Sequence, residues 1–137
     1  MTGLVLVLTQ AGVLLGIDAE GLAKDRKTFG RLLKTLVFQE IRRQVSWADA
    51  TIDLFHFRDK DGVEVDIVLE QGARDVAGVE VKAAATVPRA DFRGLRKLRE
   101  AAGERFVAGV VLYDGESTVG FGDGLFAVPI RALWEKA

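Results

Sequence analysis

Three side chains set the chemistry this chain can attempt: Asp66, then Glu80 after a gap of 13 residues, then Lys82 two positions further on. Two carboxylates and an ammonium are a minimal set for metal-assisted phosphodiester hydrolysis. Acids hold a divalent ion, which activates water and neutralises developing phosphate charge. A lysine orients or deprotonates that water and stabilises the pentavalent transition state. Side chains alternate along a strand. In Val63–Leu69, strict alternation sends Val63, Val65, Ile67 and Leu69 one way and Glu64, Asp66 and Val68 the other. Glu80 and Lys82 share a face of the next strand, opposite Val79 and Val81. An antiparallel hairpin of the two strands can set Asp66 beside Glu80. Two facing carboxylates repel, and a divalent cation between them reverses that penalty.

Glu40 is the fourth candidate. On a helix it falls within the apolar stripe of Phe29, Leu33, Leu36, Val37 and Ile41. A carboxylate there is costly unless it is paired or bound to metal. The plain alternatives are a salt-bridge cluster at Asp66, Glu80 and Lys82, and at Glu40 an ion pair with Lys82 or an arginine. Glu64 shares the Asp66 face and has Lys60 within reach. His56, the only histidine, lies between two phenylalanines and reads as structural.

The elements that must position these residues follow from periodicity and turn chemistry. Thr28 is the expected N-cap of a helix over Phe29–Val45. Strands are expected over Thr51–Phe57, Val63–Leu69 and Asp75–Ala83, with a turn at Asp59–Gly62. Pro88 opens a helix running to Ala102, ended by Gly103. A strand over Phe106–Tyr113, short strands near Val119 and Phe126, and a closing helix over Pro129–Glu135 complete the order. That order is an α/β domain with a mixed central sheet flanked by helices.

The 137 residues suit one domain of ordinary globular balance, 49% hydrophobic and 28% charged. With no cysteine and one histidine, thiol catalysis, Cys-type zinc and His-rich metal sites are excluded. Carboxylate ligands point instead to Mg2+, Mn2+ or Ca2+, of which Mg2+ or Mn2+ suits the hydrolysis. A net charge of −1 means nucleic acid would need a local basic face. Arg89, Arg93, Arg96 and Lys97 share such a face, opposite Leu95, Leu98 and Ala102. Gly3–Ile17 is apolar but short of a bilayer span of about 20 residues and has no basic leader. Residues 1–27 are therefore expected to be an apolar helical segment, a remnant of an upstream domain or a homodimer contact. Residues 28–137 are expected to form the domain proper, cytoplasmic and without a membrane partner.

The Asp66…Glu80-Val81-Lys82 pattern resembles the PD-(D/E)XK nuclease superfamily. More closely, Phe57–Asp66, Gly78–Lys82, Gly109–Gly115 and Val128–Ile130, with the helix Gly30–Glu40, resemble a bacterial and archaeal domain of unknown function. That domain sits C-terminal to an AAA+-type ATPase module. The resemblance covers about Leu14 to Trp134 and implies a restriction-endonuclease-like fold, with Glu40 at the family's helix acid. The family more often has an acid where this chain has Lys34, a position that reads as peripheral. No Gly-x4-Gly-Lys-Ser/Thr phosphate loop occurs, so the ATPase module is not expected here.

These readings converge on a Mg2+-dependent nuclease, with DNA favoured over RNA by analogy. Asp66 and Glu80 would hold the metal, Lys82 would serve the attacking water, and Glu40 would bind a second metal or a metal water. The alternative is a non-catalytic module, of an ATPase by that resemblance, binding nucleic acid or a partner. Self-association through the apolar segment is a third reading.

Overall fold

A computed structural model describes residues 25–135. The apolar segment, with its homodimer reading, falls almost wholly outside them. Helix α1 spans Arg26–Ser46. It begins before Thr28 because Asp25 supplies the cap, its carboxylate accepting from the Thr28 amide at 3.0 Å and from the Thr28 hydroxyl. Thr28 is thus the donor to the cap, and the boundary expected at 27/28 lies inside the helix.

Six strands follow: β1 (Asp53–Arg58), β2 (Glu64–Gln71), β3 (Asp75–Lys82), β4 (Phe106–Tyr113), β5 (Val119–Gly122) and β6 (Leu125–Pro129). Between β3 and β4 the chain makes a 3-10 turn, Arg89–Phe92, and then helix α2, Arg93–Ala102. Pro88 therefore opens a 3-10 turn, and the α-helix starts later than expected. The closing helix is a single 3-10 turn, Ile130–Leu133.

The strands form one mixed sheet in the order β1-β2-β3-β4-β6-β5. β1/β2, β2/β3 and β5/β6 are antiparallel; β3/β4 and β4/β6 are parallel. Both parallel steps need a crossover; α2 lies in the one between β3 and β4, and β5 in the one between β4 and β6.

Each helix covers one face. Leu32, Leu33, Val37 and Ile41 of α1 pack on Ile67, Val79, Val81 and Leu112. Phe92, Leu95 and Leu98, from the turn and α2, pack on Val65, Val68, Val76 and Val111. The chain is therefore an α/β domain with a mixed six-stranded sheet between two helices. Among the described residues no helix is long and apolar enough to cross a membrane.

Strict alternation fails in β2. Val65 and Ile67 go to opposite faces, and Val65 shares the α2 face with Val68. The β1/β2 register explains this. Phe55 pairs with Val68 but Phe57 with Val65, so Asp66 and Ile67 together oppose His56. Such a bulge re-aims side chains, and the one re-aimed here is the candidate acid.

Candidate functional site

The site lies where β2 and β3 separate. The β2/β3 ladder runs from Gln71↔Asp75 to Ile67↔Val79 and goes no further. Beyond it, β2 stays paired with β1 as far as Glu64, while β3 stays paired with β4 as far as Lys82. In that register the next cross-strand pair is Asp66 with Glu80. Their side chains take the place of the missing ladder bonds. The Asp66 amide donates to Glu80 Oε1 at 3.0 Å, and the Val81 amide donates to Asp66 Oδ2 at 2.9 Å. The carboxylates thereby satisfy backbone donors that the fork leaves without carbonyl partners.

This arrangement is electrostatically loaded. Burial, and then the Asp66 charge, push the Glu80 carboxyl up to about 7. Lys34 and Lys82 pull the other way. Glu80 therefore holds its proton in the folded state at pH values where the unfolded chain, near 4.5, has released it. Its contribution to stability is fully present below pH 4.5 and is lost as pH rises through about 7. Without metal, unfolding by urea at a series of pH values is expected to show stability declining across that window. Glu80→Gln should flatten this decline, since an amide does not titrate.

Lys82 sits at the far end of β3, its Nζ 3.8 Å from Asp91 Oδ1 in the 3-10 turn. Asp91 had no role in the sequence reading. The turn that holds it also carries Arg89, and α2 continues with Arg93, Arg96 and Lys97. Arg89 and Arg93 are exposed. Arg96 donates to the Arg89 carbonyl at 3.0 Å, and Lys97 pairs with Glu100 at 3.8 Å. Gly94, Leu95 and Leu98 are buried on the inner side, so the basic residues line the outer side, starting beside Lys82.

Glu40 is buried at 9% exposure, as its place in the apolar stripe requires. Its partners are those of the arginine alternative. Arg43 donates to both carboxylate oxygens and Gln44 Nε2 to Oε1 at 3.0 Å. The Arg43 hydrogen bond, acting against burial, holds the Glu40 carboxyl below its ordinary range. Gln44 also ties the helix to the Leu133 carbonyl at 2.8 Å. Glu40 thus faces the closing turn, and among the described residues no three acids gather as a metal-binding group.

The α1 residue that does reach the fork is Lys34, whose Nζ lies 3.2 Å from Asp66 Oδ1. Position 34 is therefore not peripheral. It lines a cavity of ≈ 290 Å³ together with Thr35, Phe38, Asp66, Ile67 and Val81. The signal was in the spacing: Lys34 precedes the buried Val37 by three and Ile41 by seven, so it runs along that stripe's edge. Glu64 faces His56 at 3.8 Å and Arg58 at 3.7 Å, rather than Lys60. His56 is exposed, with Nδ1 3.4 Å from the Asp66 carbonyl.

Residues 29–133 match the family model described as a domain of unknown function, DUF4143. The chain belongs to this family. The match takes in both helices, the whole sheet and each of Lys34, Glu40, Asp66, Glu80 and Lys82. A comparison with curated proteins found no match.

Proposed function

We propose that this DUF4143 domain hydrolyses nucleic-acid phosphodiester bonds, DNA foremost, in a reaction that needs Mg2+ or Mn2+, on a restriction-endonuclease-like architecture. The observation that carries the reading is the fork. Asp66 and Glu80 are brought together where burial, and then their mutual repulsion, raise the proton affinity of Glu80. A divalent ion offsets that repulsion, so the donor set fits one carboxylate-bound cation. When bound, the ion supplies Lewis-acid stabilisation of phosphate charge and lowers the pKa of a bound water.

The chain's own groups have separate tasks. Asp66 and Glu80 would hold the cation. Lys82, anchored by Asp91, donates to the attacking water and to the phosphoryl oxygens as charge builds. The outer side of the 3-10 turn and α2, with Arg89 and Arg93 exposed, tracks the backbone phosphates that lead to the fork. Glu40 has no task in this reading, because Arg43 and Gln44 already satisfy it.

Incubation with end-labelled single- and double-stranded DNA and RNA is the direct test. Cleavage that requires Mg2+ or Mn2+, stops with EDTA and falls about a hundredfold in Lys82→Ala supports the reading. A specific observation favours a second one: Lys34 already supplies a cation to Asp66, as a non-catalytic binding module would require. Salt-dependent DNA binding by the wild type, weakened in Arg89→Ala/Arg93→Ala, with no cleavage under any metal, would select it.

A further inference from the structure

Asp66 divides its two oxygens between two partners. Oδ2 accepts the Val81 amide at 2.9 Å, a bond fixed by the backbone of β3. Oδ1 faces the Lys34 ammonium at 3.2 Å, a bond held only by a flexible side chain from α1. Lys34 is 53% exposed and Asp66 18%, so this pair is solvated on the lysine side and easily exchanged. Lys34 and Asp66 line an open cavity together with Thr35, Phe38, Ile67 and Val81, which gives a small ion access to the pair. The Lys34 charge is felt further in, since it also favours ionised Glu80. One ammonium therefore acts on both carboxylates of the fork, by contact with Asp66 and by its charge on Glu80.

We infer that Lys34 is a tethered cation that competes with a divalent ion for Asp66 Oδ1. This rests on the reading of the fork as a metal site and adds to it a built-in brake on metal affinity. With Lys34 engaged, an incoming ion meets a carboxylate already neutralised and a positive charge a few ångströms away. The fork is then stable without metal and binds metal weakly, and removal of the ammonium converts it to a tighter site.

The experiment is calorimetric titration of Mn2+ into the full chain at pH 7.5, as wild type, Lys34→Ala, Lys34→Arg and Asp66→Asn, each checked for folding by circular dichroism. Lys34→Ala is expected to bind Mn2+ about tenfold more tightly than wild type. Lys34→Arg keeps the charge and should keep the weak affinity. Metal-free Lys34→Ala should melt below wild type, and saturating Mn2+ should return the loss. Equal affinities for wild type and Lys34→Ala, with Asp66→Asn abolishing binding, would overturn the competition and leave the metal site standing. Wild-type binding that survives Asp66→Asn, or no binding by any of the four proteins, would remove the metal site and the competition with it.

Discussion

Replacing Asp66 by alanine is expected to abolish both Mn2+-dependent thermal stabilisation and phosphodiester cleavage, with activity down at least about a thousandfold. Asp66 is the one group that touches every part of the fork. It accepts the Val81 amide, meets Lys34, and its own amide holds Glu80. In the proposed reaction, loss of its carboxylate would remove one of two acidic metal ligands, and metal-assisted stabilisation is worth several kcal/mol. At about 1.4 kcal/mol per tenfold in rate, three orders of magnitude follow. Metal-free stability should fall modestly, because the Val81 amide loses its acceptor, with relief of the Asp66 charge on Glu80 offsetting part of that loss. Melting curves with and without Mn2+ separate the two effects. A wild-type rise in melting temperature that vanishes in the variant supports a metal at Asp66. A rise that survives in the variant places any metal elsewhere, and cleavage that survives removes Asp66 from the reaction.

The apposition of the acid pair was legible because antiparallel register is set by distance from the turn, even where a bulge re-aims one side chain. Asp66 and Glu80 stand symmetrically about the β2/β3 turn, and the register that seats Ile67 against Val79 carries them into apposition. The helices flanking the sheet were legible from apolar spacing, since a stripe must be covered. What sequence could not supply was the bulge at Asp66 and Ile67. Alternation puts Val65 with Ile67, but an extra residue in β2 breaks the period. A bulge is set by how two strands pair, not by the composition of either. Glu40 shows a different limit. Its burial was readable from the helical stripe, but the choice between an arginine and a metal was not. Arg43 and Gln44, three and four residues on, reach back along the helix surface to its carboxylate. A helical neighbour satisfies a buried acid as well as a metal does. Lys34 reverses the case: its spacing places it at the edge of the buried stripe, but only the packing of α1 beside the fork makes Asp66 its partner.

Helix α2 is held close to β2 by the absence of a side chain, and Gly94→Ala is expected to cost on the order of 3 kcal/mol. A Cβ at Gly94 would stand 2.2 Å from the Glu64 carbonyl oxygen and 3.2 Å from its carbon. Both are backbone atoms of β2, so no rotamer change relieves the overlap, and the helix must lift. Lifting it opens the buried cluster of Phe92, Leu95 and Leu98 on Val65 and Val111. The figure is the upper end of the usual overpacking cost. Helix propensity alone argues for the opposite sign, since alanine is preferred over glycine inside a helix by about 1 kcal/mol. Gly30 in α1 provides the contrast, because a Cβ there meets nothing within 4 Å. Gly30→Ala should therefore raise stability by up to about 1 kcal/mol, while Gly94→Ala lowers the melting temperature by on the order of 10 °C. Denaturant unfolding of the two variants checks both signs at once. If Gly94→Ala proved neutral or stabilising, α2 would not sit in contact with β2 at Glu64. The approach of Lys82 to Asp91, which depends on the turn leading into that helix, would lose its support.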